Sequence, residues 1–172
     1  QFTLLLDEFD PTRTGIEYLP VLSKYKYNTI SASYNSSTQR LFSFRVNSKI
    51  GEFFNGDIYT YGLSFNYRIV PIVNIDFSYN NNKIQLPYAT SNLDSYTSKV
   101  EVSLNTKLFL TTFFQYNRQI DNINLNTRFQ WNFKPLSDIY LVYTDNYFAK
   151  GNNLFNTKNR SIALKLNYWI NL

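Results

Sequence analysis

Cysteine and histidine are both missing from this chain. Without cysteine there are no disulfides, no thiol chemistry and no lipidated cysteine of a bacterial lipoprotein. Without histidine as well, zinc, copper and haem sites of ordinary type are excluded, as is every histidine-based triad. No run approaches the roughly 18 apolar residues of a transmembrane helix. The opening QFTLLLDEFDP has no basic flank and meets acids at once, so it does not read as a signal peptide, and a mature or truncated chain is expected. Basic residues exceed acids by 17 to 12, yet they stand singly along the chain with no clustered basic face. That scatter speaks against nucleic acid as a partner.

Aromatic residues, by contrast, are abundant: 15 Tyr and 15 Phe, against five Gly and five Pro. Such a composition suits strands rather than helices. The mean hydropathy of −0.34 is too polar for a helical membrane protein. It does not exclude a barrel wall, where only every second residue is apolar. The stretch INLNTRFQWNF (123–133) alternates without error: Ile123, Leu125, Thr127, Phe129, Trp131 and Phe133 against Asn124, Asn126, Arg128, Gln130 and Asn132. Successive side chains of a strand point to opposite faces, so this segment has one apolar and one polar face. The same period runs through Tyr59–Tyr67, Ile75–Tyr79, Lys99–Leu104 and Ser161–Leu172, and no 3.6-residue pattern competes.

The expected fold class is therefore all-β, an antiparallel transmembrane β-barrel with 8–10 strands visible. Strands are expected near 24–35, 39–48, 57–67, 73–80, 95–104, 108–117, 122–133, 138–147 and 160–171. Segments of about ten residues are long for a soluble sandwich and suit a tilted membrane crossing. Short connections (35–38, 68–72, 105–107, 134–137) alternate with mostly longer, Asn-rich ones (SKIGEFFNGD, NNNKIQLPYATSNLD, FAKGNNLFNTKN), with a short stretch near 119–121 as the exception. Loop length sorted by end is a feature of outer-membrane barrels. With short turns on the periplasmic side, the C-terminus is expected to be periplasmic. Residues 1–23 read as a lead segment or partial strand, and 24–172 as the barrel or a portion of one. Nine strands do not close an antiparallel barrel. Either Arg13–Leu22 adds a tenth, despite Pro20, or the chain is the C-terminal part of a larger barrel.

The stretches GEFFNG (51–56), FFQYN (113–117), LNTRFQWNF (125–133), SDIYLVYTDNY (137–147) and ALKLNYWI (163–170) resemble, in order and spacing, the C-terminal barrel of a family of Bacteroidota outer-membrane proteins. In that family a family-9-type carbohydrate-binding domain precedes a long barrel. The likeness covers roughly residues 40–172. It implies an outer-membrane location and a longer barrel in family members; the carbohydrate-binding domain is absent here, so sugar binding does not carry over. The last strand, with Leu164, Leu166, Tyr168, Ile170 and Leu172 at alternate positions, looks like the signal by which barrels are handed to the insertion machinery, with Leu172 in place of the usual terminal Phe.

Tyr67, Trp131, Phe133, Tyr168 and Trp169 fall at the turn-side ends of their strands, and Tyr59, Tyr143, Tyr147 and Phe148 toward the loop side. Two such bands are expected as aromatic girdles at the membrane interfaces. The competing reading is the core of an aromatic-rich sandwich. Arg45, Asp76, Lys99, Glu101, Arg128 and Lys165 lie on polar registers and are expected to face the lumen, either as a solute-selecting lining or as a mutually neutralising ladder. Asp7, Glu8 and Asp10 cluster, but without EF-hand spacing, so a solvated acidic segment is expected rather than a Ca²⁺ site. No catalytic, metal or cofactor-binding residues are expected.

The expected protein is thus a non-enzymatic, porin-like outer-membrane barrel acting as channel, anchor or subunit of a surface complex. Its partners would be outer-membrane lipid, the insertion machinery through the C-terminal strand, and other outer-membrane subunits. The alternatives are a soluble extracellular β-sandwich that binds glycans through exposed aromatics, and an outer-membrane hydrolase, for which no nucleophile–base pair is visible.

Overall fold

The computed structural model describes residues 2–4, 7–10, 18–118, 122–149 and 155–170. The alternating segments form strands: β1 (Phe2–Leu4), β2 (Lys24–Lys26), β3 (Thr29–Asn35), β4 (Phe42–Phe53), β5 (Gly56–Ile69) and β6 (Val73–Gln85). They continue with β7 (Thr90–Ser103), β8 (Leu108–Asn117), β9 (Asn122–Lys134), β10 (Ser137–Phe148) and β11 (Thr157–Asn167). The described residues contain no helix. Strands β3 to β11 form one antiparallel sheet in which each strand pairs with its neighbours in sequence. β1 and β2 make a separate two-stranded sheet.

The sheet is all-β and antiparallel as expected, and it is open: its nine strands do not close on themselves. The reason is parity. In an antiparallel meander of nine strands the two edges, β3 and β11, run in the same direction, so they cannot close on each other with an antiparallel ladder. The proposed tenth strand lies partly outside the described residues, at 13–17. Its described part adds nothing to the large sheet: Leu19 instead bridges to Phe9. The expected strand 24–35 is interrupted at Tyr27 and Asn28, and the expected 160–171 is paired from 157 and ends at Asn167.

Two of the expected long loops are paired strand. SKIGEFFNGD folds into the ends of β4 and β5 around the turn at Phe54 and Asn55, and NNNKIQLPYATSNLD into β6 and β7 around Leu86–Ala89. Here Asn81 faces Asp94 and Lys83 faces Asn92 across the ladder. The face that is apolar at mid-sheet turns polar at that level, with Ile84 and Leu93 on the opposite one, so the apolar alternation is lost although the backbone pairing continues. Of the third long connection, 150–154 lie outside the described residues, as do 119–121.

The sheet carries little core. The accessible surface of the chain is 11766 Å², against roughly 8,800 Å² for a compact monomer of this mass. The buried apolar side chains among the described residues are Leu19, Tyr27, Ile84, Leu86, Ile123 and Ala149, all in the lead segment or toward one end of the sheet. Phe54 anchors that end. It takes positive φ (53°) at the β4–β5 turn, and its ring meets Phe9, Tyr25, Tyr27 and Phe53 at 4.7–5.7 Å between centroids. Asn28 N–H donates to Glu52 Oε2 (2.8 Å), and Glu52 N–H to the Asn28 carbonyl (3.1 Å). The lead segment is thus clamped to the tip of the first long hairpin.

The two glycines of GEFFNG have a steric reason. A Cβ on Gly51 would collide with the backbone of Asn28 and Thr29, and one on Gly56 with the Gln85 carbonyl. Gly56→Ala is expected to lower stability by about 1–3 kcal/mol, the range for forcing atoms into a packed site. Reversible urea unfolding in lipid or detergent checks this, and an unchanged midpoint would contradict the close approach.

Candidate functional site

Ladder register sorts every strand residue onto one of two faces, because directly paired residues share a face. The first face carries Phe42, Phe44 and Val46; Leu63, Phe65, Tyr67 and Ile69; Val73, Ile75 and Phe77; Val100 and Val102. It continues through Leu108, Leu110, Phe114, Leu125, Phe129, Trp131, Ile139, Leu141, Ile162, Leu164 and Leu166. Among the described residues no layer packs over this apolar face, and Val46, Tyr67, Phe77, Phe114, Trp131, Leu141 and Leu164 are among its exposed residues.

Toward the long-hairpin end the apolar face passes into tyrosines. Tyr79, Tyr96 and Tyr116 lie side by side on β6, β7 and β8, with centroids 4.7 and 5.8 Å apart. Beyond them the same face turns polar, with Asn81, Lys83 and Gln85 on β6 and Thr90, Asn92 and Asp94 on β7. At the opposite end the apolar register runs into the turns.

The residues expected as girdles mostly occupy this face. Tyr67, Trp131 and Phe133 lie at the short-turn end, and Tyr59, Tyr143 and Tyr147 toward the other. Phe148 is on the opposite, polar face. Tyr168 and Trp169 follow the end of β11. The Tyr168 ring stacks on Phe133 at 6.4 Å and lies under Lys134, while Trp169 N–H donates to Ser137 Oγ (3.0 Å).

Tyr143 and Tyr147 hold a group that the alternation did not single out. Asp145 sits between them on the apolar face, with no exposed surface. Its Oδ2 accepts from Tyr143 Oη (2.7 Å), Tyr147 Oη (2.7 Å) and the Arg160 guanidinium (2.6–2.7 Å). Its Oδ1 has no hydrogen-bond partner. Among the described residues the sheet is a single layer, so these immediate neighbours cover the carboxylate. The signal in the sequence was an acid on an otherwise apolar register, between two tyrosines two residues away on either side.

The opposite face is largely polar, although Phe109, Phe113 and Val142 also lie on it, and amide hydrogen bonds link β9 to β10 there. Asn124 donates to Asn146 (2.6 Å), Asn126 to Thr144 (2.7 Å), and Gln130 to Asp138 (3.0 Å) and Tyr140 (3.2 Å). Arg45, Asp76, Lys99, Glu101, Arg128 and Lys165 all fall on this face. Five of them gather: two concavities of 410 and 380 Å³ open on the polar face, and between them they are lined by Arg45, Asp76, Lys99, Glu101 and Arg128. Lys165, on the edge strand β11, stands apart. Arg68 lines both concavities; its place in an expected turn hid it, although it continues the register of Ser64 and Asn66.

Among these charges one ion pair forms. Lys99 Nζ bonds Glu101 (2.7 Å) rather than its cross-strand neighbour Asp76. Asp76 is held by amides: Asn66 donates to Oδ1 (2.7 Å) and Asn74 to Oδ2 (3.0 Å), and Asn74 also donates to Glu101 (3.0 Å). Arg45 donates to Asn35, and Arg68 to the Thr38 carbonyl (3.0 Å). Among the described residues Arg128 has no hydrogen-bond or ion-pair partner. Asp7 and Glu8 are exposed, and no three acids converge on a metal-sized site among the described residues.

Set against models of protein families, curated proteins and solved structures, the chain matches none of them. What its own residues define is a class of fold: an all-β chain with one open antiparallel sheet of nine strands.

Asp145→Ala is expected to loosen the β10–β11 edge, because Arg160 and two tyrosine hydroxyls lose their common acceptor. Hydrogen exchange should quicken at β11 amides around Arg160–Ile162. Lys165→Ala, on the other face of the same strand, should leave them unchanged. Equal exchange in the two variants would mean the cluster contributes nothing to holding the edge.

Proposed function

We propose that this chain is wall of a bacterial outer-membrane β-barrel, non-enzymatic, with its apolar face toward lipid and its polar face toward a hydrated lumen. The observation that carries the reading is the uncovered apolar face, with aromatic rings toward its ends and polar hairpins beyond one of them. From Tyr116 to Leu108 and from Ile123 to Phe133 that face covers about eight to ten residue steps, or about 26–33 Å along a strand. At a tilt of about 40° this is about 20–25 Å tall, close to the apolar band of outer-membrane barrels. A sandwich would need a second sheet about 10 Å away over that face, and among the described residues the only other sheet is the pair β1–β2.

In this reading the barrel serves as channel, anchor or subunit of a surface complex, and its partners are outer-membrane lipid, the insertion machinery and the strands that complete the wall. The resemblance to the Bacteroidota family supports the same location. The hairpins that project past the tyrosines face the cell exterior, and the C-terminus lies on the periplasmic side.

The protein is expected to extract only with detergent and to give β-rich circular dichroism in micelles. Folded, monodisperse protein in plain buffer would overturn the reading. Phe129→Arg, on the apolar face, should cost about 2–4 kcal/mol in lipid vesicles, whereas Arg128→Gln should change stability little; a harmless Phe129→Arg would sink the lipid-facing assignment. A cysteine at Asn55 should label on intact cells with an impermeant reagent and one at Leu136 should not. The opposite pattern would invert the orientation.

A further inference from the structure

Taken together, the two concavities of the polar face carry more positive than negative charge. Arg45, Arg68, Lys99 and Arg128 supply four cations, against the two acids Asp76 and Glu101, a formal excess of +2. Both acids are already occupied, Glu101 by Lys99 and Asn74, Asp76 by Asn66 and Asn74. Arg68 gives one nitrogen to a backbone carbonyl, and Arg128 makes no hydrogen bond or ion pair among the described residues. Register places them in one row across the sheet: Arg68 pairs with Asn74, Asn74 with Glu101, Glu101 with Thr111, and Thr111 with Arg128. Four strand spacings of about 4.8 Å separate them along the sheet, and both line the 380 Å³ concavity. A volume of this size lies within the range of small-molecule sites.

From this arrangement we infer that the polar face binds a small solute bearing two or more oxyanionic groups, with Arg68 and Arg128 taking one group each. Guanidinium is the side chain suited to the task, since its planar fork matches carboxylate and phosphate bidentately. Thr111, in the same concavity, supplies a neutral hydrogen bond to the remainder of the solute. A ladder whose charges cancelled would repel no solute and select none. Here the amides hold Asp76 without consuming a cation, and this leaves the excess positive charge available. The inference deepens the lumenal reading above and rests on it for its physiological setting, while the binding itself depends only on the geometry of this face.

The test is equilibrium titration of the detergent-solubilised chain at low ionic strength, with citrate as the anionic probe and spermidine as the cationic one. Citrate is expected to bind and spermidine not. Arg68→Gln and Arg128→Gln should each weaken citrate at least fivefold, and the double variant should abolish binding. Lys165→Gln, on the same face but outside both concavities, should leave it unchanged. Glu101→Gln should tighten citrate severalfold, a gain that misfolding cannot imitate. Retention of parental affinity by the double variant, preference for spermidine, or weaker citrate binding in Glu101→Gln would each overturn the inference. Detergent dependence, read on the same samples, separates the two claims. A chain that integrates but ignores citrate loses the anion site and keeps the membrane reading. One that is soluble yet binds through both arginines keeps the site and loses the membrane.

Discussion

An apolar sheet face with nothing packed on it is the constraint from which the rest of this structure follows. Burying apolar surface is the main favourable term in folding, and a sheet with one such face must press it against another layer or meet an apolar solvent. Here the face extends across all nine strands, and the described residues offer no second layer. Backbone pairing completes the middle strands, so the unmet demand is concentrated on one surface and two edges. The edges share a direction, which makes any antiparallel completion a matter of an odd number of further strands.

The polar face answers a different demand. Thr, Asn and Gln side chains link β5 to β6 and β9 to β10 by hydrogen bonds on this face. Such ladders satisfy polar groups without salt bridges, and a partly exposed pair such as Lys99–Glu101 adds little stability by itself. The network therefore positions its charges rather than cancelling them. Asp145 and Arg160 show the opposite arrangement on the apolar face, where a lone carboxylate would be costly and is instead ringed by an arginine and two tyrosines.

Several elements were legible because a period of two admits only two phases. Reading Arg128 as opposite to Phe129 put Arg45, Asp76, Lys99, Glu101, Arg128 and Lys165 on one face, and the ladder places them there. The hairpin tips were not legible. Where Asn81, Lys83, Asn92 and Asp94 meet across the ladder on the face that is apolar at mid-sheet, the chain loses its apolar beat and imitates a loop. The asymmetry between the two ends survives this correction in another form, since hairpins outrun the apolar face at one end while at the other that face reaches the turns. Arg68 escaped notice for a related reason: a strand longer than its apolar core carries functional side chains past the point where the pattern can be recognised.

By itself, then, the sequence determined the secondary structure class, the phase of each strand and the sign of each face. These follow from strand geometry, which is local and alternates whatever the neighbours are. Only the tertiary structure decided which residues become neighbours. Cross-strand register brings Arg68 and Arg128 to one concavity from positions sixty residues apart, and places Arg160 on the Asp145 carboxylate. It also leaves the sheet open, since closure depends on how many strands pair and in which direction, a count that no single strand contains.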